Sequence, residues 1–195
     1  MQGRCRGDVG EITLVLSRLS GQARFEQAAL CALRLLWSKR SKHDLIGNTL
    51  DVVTGRWRNP NAGIGAGIDS FYEYLLKSYL VFGRGELYQM WNASYAAVRS
   101  HLKRGAWYGE VNMHLAGKKQ ATPHFESLQA FWPALQVLAG DVDEGAESFA
   151  GTVGLGRRPN PTRSLLILTL TLTLPLTLTL TYRSLLRDLA EVPRP

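Results

Sequence analysis

At 195 residues the chain has the length of one domain and little room for a second. An apolar content of 45% and a charged content of 20% exclude wholesale disorder, and two cysteines, Cys5 and Cys31, are too few for a disulfide-stapled scaffold and lack metal-ligand spacing. The net charge of +7 is scattered, at +5 over residues 1–60, +3 over 61–120 and −1 over 121–195, without the dense Lys/Arg run that tracks a phosphate backbone, so nucleic acid is not an expected partner.

The opening MQGRCRGDVGEITLVL puts Asp8 and Glu11 where a secretory signal needs an unbroken apolar stretch. Either the protein is cytosolic or its true N-terminus lies outside this chain. From residue 11 to about 150 the pattern is helical and repeats as helix, glycine stop, helix. ITLVLSRLSG-QARFEQAALCALRLLWSKR turns at Gly21, DSFYEYLLKSYLVFG-RGELYQMWNASYAAVRSHLKR at Gly83, and HFESLQAFWPALQVLAG-DVDEGAESFAG at Gly140. The glycines stand 62 and 57 residues apart, each at the C-cap position where a left-handed conformation is needed.

Two connectors, LIGNTLDVVTGRW (45–57, with Val52, Val53 and Trp57) and WYGEVNMHLAG (107–117), read as small β-hairpins. The expected fold is all-α, with about three helix pairs and small β-hairpin connectors, as in an α/α solenoid or toroid. Three pairs do not close a ring, so the architecture reads as truncated. Phe25, Leu30, Leu33 and Leu36 on one side, and Leu128, Trp132 and Leu135 on the other, would then lack neighbours and promote aggregation.

Residues 151–163 (GTVGLGRRPNPTR) read as a Gly/Pro/Arg linker, and 164–182 (SLLILTLTLTLPLTLTLTY) as a low-complexity Leu-Thr tail without charge. The tail is long enough to be weighed as a membrane span, but its threonines and Pro175 oppose one. A repeat-derived tail and an aggregation-prone strand are the other readings. RSLLRDLAEV can form a short amphipathic helix before Pro193.

The connector NAGIGAGIDSFYEYLLK places Gly63, Gly65 and Gly67 just ahead of a helix starting near Asp69. A phosphate loop would need a preceding strand and a following Lys-Ser/Thr, neither of which is present. Ser70 and Glu73 fit a capping box, with Asp69 complementing the helix dipole. Alternatively, Asp69 projects from the helix start as a carboxylate acting on a water, with Phe71, Tyr72 and Tyr74 as sugar-stacking walls. His43, His101, His114 and His124 have no metal-ligand spacing and read as ordinary surface or core residues.

LWSKRS, L-GN, TG-W, GAGIDSFYEYLLKSYLVFG and SLQAFWPALQVLAGD together resemble the class I α1,2-mannosidases, glycoside hydrolase family 47, and within it the branch of ER degradation-enhancing α-mannosidase-like proteins. The resemblance runs from about residue 13 to 150 and makes 1–150 a partial domain of that family, with 151–195 as linker and tail. It implies an (α/α)7 barrel, inverting hydrolysis of α1,2-linked mannose, a bound Ca2+ and residence in the ER lumen. Its implied partners are high-mannose N-glycans on misfolded glycoproteins.

Through that resemblance Asp69 matches the family's catalytic aspartate, a candidate general base. An inverting pair of carboxyl groups stands about 6.5–9.5 Å apart to admit a water. The family's general acid is the glutamate of an L-E-F-x-x-L-S-R-L helix. Here G-E-I-T-L-V-L-S-R-L puts Glu11 one residue early and Ile12 in the aligned place, about 100° around a helix.

The R-P-E block and the T-E-[GA]-H segment whose threonine binds Ca2+ are not found, so no metal site is expected within this chain. Glu126, Phe131 and Trp132 match a pocket-lining helix, although core and helix-surface roles account for them equally. Asn92-Ala93-Ser94 is an N-glycosylation sequon, meaningful if the chain enters the ER lumen, where Cys5 and Cys31 could also pair. The implied function is mannose trimming in ER-associated degradation, with this fragment expected to be inactive. The alternatives are a non-catalytic module that holds glycan or client, and a product that does not fold stably.

Overall fold

A glycine with positive φ turns each of three successive helix pairs. In this computed structural model, which describes residues 11–154, α1 (Glu11–Ser20) and α2 (Ala23–Ser38) meet at Gly21 (φ 68°). The second pair, α3 (Asp69–Phe82) and α4 (Gly85–His101), meets at Gly83 (φ 69°), and α5 (Trp132–Leu138) and α6 (Val142–Gly154) meet at Gly140 (φ 93°). At the second turn the Gly83 N–H donates to the Tyr79 carbonyl at 2.8 Å, closing the helix end as a left-handed C-cap does. The described chain is therefore predominantly helical, as its periodicity predicts.

Short antiparallel strand pairs occupy the connectors. β1 (Thr49–Leu50) pairs with β2 (Trp57–Asn59), β3 (Asn61–Ala62) with β6 (Val111–Asn112), and β4 (Lys103–Arg104) with β5 (Trp107–Tyr108). The first connector is a hairpin as predicted, but Val52 and Val53 form its turn and are 90% and 91% exposed. The second connector is not a hairpin in itself. Its first half closes back on β4, and its second half crosses to β3, which ties the two connectors together.

The core forms where α3, α4 and α5 converge. α3 buries Phe71, Tyr72, Leu75 and Leu76, and α4 buries Leu87, Met90, Trp91, Tyr95 and Val98, each at helical spacing. Trp132 sits at the centre, 1% exposed. Its ring lies 5.4 Å from Tyr72, 5.6 Å from Tyr108 and 5.8 Å from Tyr95, within the range of favourable offset and edge-to-face contacts.

Four expectations are corrected here. Leu30, Trp132 and Leu135 are buried, and Leu33 and Leu36 pack against the core, so these residues do not lack neighbours; Leu128 remains 51% exposed. The continuous helix expected over 124–138 is instead a 3₁₀ turn at Ser127–Phe131 followed by α5, because Pro133 has no N–H to carry a helix through and suits a first turn. The capping box does not form. Ile68 is the N-cap of α3 and gives no side-chain cap bond, and Glu73 pairs with Lys77 at 2.5 Å. Phe71 and Tyr72 are core residues rather than sugar-stacking walls.

Cys31, on α2, is disulfide-bonded, and Cys5, the other cysteine of the sequence, lies outside the described residues. The expected linker beyond residue 154, the Leu-Thr tail and the helix before Pro193 also lie outside them. No helix among the described residues is long and apolar enough to cross a membrane.

Candidate functional site

The glycine loop 63–67 is held from three sides by residues distant in sequence. β3–β6 pairing brings Glu110 to the loop, where its Cγ would lie 3.0 Å from a Cβ placed on Gly63. Glu110 and Thr122 exchange backbone hydrogen bonds of 3.0 and 2.7 Å, which carries the segment leading to Glu126 alongside. The Ala66 peptide is then gripped at both ends: its N–H donates to Glu126 Oε1, and its carbonyl accepts from Asn48 Nδ2 at 2.5 Å. A Cβ on Gly65 would lie 1.8 Å from Glu126 Oε1, so a larger residue there must displace that side chain, while Gly67 has φ 87°, which favours glycine, and a Cβ there would lie 2.7 Å from Asn48 Nδ2.

This clamp sets the start of α3. The Gly65 carbonyl accepts the Ile68 N–H at 3.2 Å and the Asp69 N–H at 2.9 Å. Asp69, half-buried, is the first residue of the helix, and its Oδ1 accepts the Ser70 N–H at 2.9 Å. A carboxylate in a helix's first turn is favoured by the helix dipole. Held on a rigid start and still reached by solvent, such a group can accept a proton from a water.

An aromatic cleft adjoins the loop. Its empty space is about 280 Å³ including the open mouth, and its walls include Ile64, Trp107, Tyr108, Phe125, Trp132 and Ser148. Ile64 and Phe125 are the chain neighbours of Gly65 and Glu126, so cleft and loop share two strands of chain. Trp107 and Phe125 meet edge to face at 6.3 Å and are 37% and 42% exposed. Flat apolar rings with exposed faces suit the apolar face of a sugar.

Behind the cleft lies a buried polar network. Tyr108 Oη donates to Glu144 Oε1 at 2.6 Å and accepts from Gln136 Nε2 at 3.0 Å, while Lys103 Nζ lies 2.7 Å from Glu144 Oε1. Burial alone would raise the Glu144 carboxyl, but hydrogen bonds from Lys103 and Tyr108 outweigh it and hold the group below its ordinary value. Burial, reinforced by that carboxylate, pushes the Tyr108 hydroxyl up to about 12.

The structure thus brings Asp69 and Glu126 to one loop. Phe131 is half-buried against Trp132 at 5.9 Å, and Trp132, although it forms part of the cleft wall, is a core residue. Glu11 opens α1, its side chain outside the described residues, and Asn92 lies apart on α4, exposed. Asn48, Glu110, Trp107 and Phe125 were not singled out by the sequence reading. For Asn48 a signal existed, since it stands in the L-GN block; for the others the signal is strand pairing across about fifty residues. Among the described residues no group of three or more His, Cys, Asp or Glu could hold a metal ion.

Residues 11–158 match the model of glycosyl hydrolase family 47. The chain is 54% identical over 127 residues to Alpha-mannosidase I MNS5 of Arabidopsis thaliana, covering 65% of this chain and 22% of that protein. It is 52% identical over 129 residues to Alpha-mannosidase I MNS4 of the same plant, covering 66% and 20%. It is 38% identical over 148 residues to ER degradation-enhancing alpha-mannosidase-like protein 2 of Homo sapiens, covering 74% and 25%. The chain therefore spans about a fifth to a quarter of the length of these relatives. With a match over most of its length, and with the helix pairs and the glycine loop ahead of Asp69 in place, the chain belongs to glycosyl hydrolase family 47.

Proposed function

We propose that this chain is part of an α1,2-mannosidase-like protein of the ER lumen that trims mannose from high-mannose N-glycans of misfolded glycoproteins, an inverting hydrolase with Asp69 as general base. The observation that carries the reading is the clamp on the glycine loop. Asn48 and Glu126 fix Ala66 from both sides, and the Gly65 carbonyl fixes the amide of Asp69. Such fixation is what a base must have to meet a water at one geometry. The three helix pairs are consecutive wedges of an (α/α)7 barrel in this reading, within a domain over 1–150 followed by a linker and tail over 151–195. Exposed Trp107 and Phe125 supply the stacking surface beside Phe131 and Trp132.

One observation favours a second reading, glycan holding without turnover. The Glu126 carboxylate is committed to the Ala66 N–H, Ile12 stands where the acid aligns, and Glu11 is out of register. Incubating the purified chain with a high-mannose glycan and weighing the products separates the two. Hexose loss that disappears in Asp69→Asn supports the hydrolase, with a fall of about 10²–10⁴ in rate. Retention of glycan without hexose loss supports the holding module. Asp69→Asn should change stability by no more than about 1 kcal/mol, because a single first-turn carboxylate contributes that much or less.

A further inference from the structure

We infer that Asn92 is an N-glycan acceptor whose modification precedes the docking of α4, an inference that rests on the lumenal reading above. The sequon Asn92-Ala93-Ser94 lies in the middle of α4, not on a loop. Asn92 is exposed, on the face that also exposes Tyr88, Gln89 and Ala96, so a glycan there meets no packed neighbour. Ser94 is the opposite case. It is 1% exposed, and its Oγ is buried without a hydrogen-bond partner.

That orphan hydroxyl is the informative feature. A buried hydroxyl without a partner destabilises the fold by its lost hydration, and an alanine would fill the same space without that cost. Recognition as the third residue of a sequon can operate only while that hydroxyl is accessible, which its place in the folded core does not allow. The two residues thus assign an order of events. The transferase reads the extended chain, α4 then forms and docks, Ser94 enters the core, and the glycan stays on the solvent face.

The donor is a lipid-pyrophosphate-linked oligosaccharide. The Asn92 Nδ2 forms a bond to the anomeric carbon and gives up one proton, while the bond from that carbon to the pyrophosphate oxygen breaks and the lipid pyrophosphate leaves with the electron pair.

The test is translation of the full chain, behind a cleavable ER signal, with microsomes, import being verified by protection from added protease. The expected result is one discrete mobility step in the protected chain, removed by peptide N-glycosidase and absent in both Asn92→Gln and Ser94→Ala. Ser94→Ala should at the same time leave the melting temperature unchanged or raised. A protected chain without the step, or a step that persists in Asn92→Gln, overturns the inference. For the order of events, the unmodified chain is offered to purified oligosaccharyltransferase and lipid-linked donor, folded and then unfolded. Transfer to the unfolded form alone is expected, and equal transfer to both overturns the order. Failure of the lumenal reading shows separately: the whole protein, made in its own cells, would be found outside protease-protected vesicles while the signal-bearing chain is still modified at Asn92.

Discussion

Glycine at position 65 and glutamate at position 126 are matched, since the backbone approaches the carboxylate more closely than any Cβ would allow. Glu126→Ala removes a charge-assisted bond to the Ala66 N–H and should cost about 1–3 kcal/mol. Gly65→Ala should cost a similar amount by driving Glu126 off that N–H. The two are not independent, because the atom in the way is the one Glu126→Ala deletes. In the double variant the cost should therefore fall below the sum by about 0.5–3 kcal/mol, the range for residues in contact. Urea midpoints of the four proteins check this, and strict additivity would show that Glu126 does not hold the loop. Gly109 is a contrasting case. A Cβ there would lie 2.3 Å from the Thr122 carbonyl oxygen, a backbone atom with nowhere to move, so Gly109→Ala should break the Glu110–Thr122 pairing whatever stands at 126. None of these proximities is legible in the sequence, because Glu126 stands 60 residues from Ala66. The helix start at Asp69 is legible because its motif is contiguous.

At the level of elements, what the sequence reveals is what local chemistry decides. Gly21, Gly83 and Gly140 end their helices because each needs a positive φ that is determined within a turn, and no other residue is consulted. Around Gly83 there is open space, so Gly83→Ala should cost only the left-handed strain of about 1–2 kcal/mol, measurable as a lowered melting temperature. Gly145 stands mid-helix for another reason. A Cβ there would lie 2.7 Å from Val137 Cγ2 and 2.9 Å from the Pro133 carbonyl, so α5 and α6 approach at this residue. Alanine is the better helix former by about 0.5–1 kcal/mol, yet Gly145→Ala should lower the melting temperature, because the contact with α5 outweighs the gain in propensity. The pairing of β3 with β6 was hidden for the opposite reason. Two-residue strands have no period to read, and their partner is set by where the second and third helix pairs dock.

Across the whole molecule the two outer pairs are attached by different means. The α1–α2 pair meets α3–α4 through apolar contact and partly exposed ion pairs, Arg34 with Glu86 at 2.8 Å and Arg84 with Glu26 at 2.6 Å. Exposed pairs contribute roughly 0–1 kcal/mol each and weaken with salt. The α5–α6 pair is attached through the buried network of Glu144, Tyr108, Gln136 and Lys103, which salt screens little. Its vulnerability is to pH. The Glu144 carboxyl is held below its ordinary value of 4.5 in the folded chain, so its contribution is complete above that value and is lost as pH falls towards the folded value. The Tyr108 hydroxyl is raised from 10.0 to about 12, so folding favours its protonated form, and that contribution is complete below 10.0 and is lost as pH climbs through 12. Hydrogen exchange followed by mass spectrometry should therefore distinguish the two attachments. Raising salt at neutral pH should speed exchange in α1 and α2 and leave α5 and α6 unchanged. Lowering the pH below 4.5, with exchange times corrected for intrinsic rates, should loosen α5 and α6 in the wild type. In Glu144→Gln these helices should already be looser at neutral pH, because the amide cannot hold the Lys103 charge, and their further response to acid should shrink. An unchanged acid response in that variant would place the acid-sensitive group outside the Glu144 network.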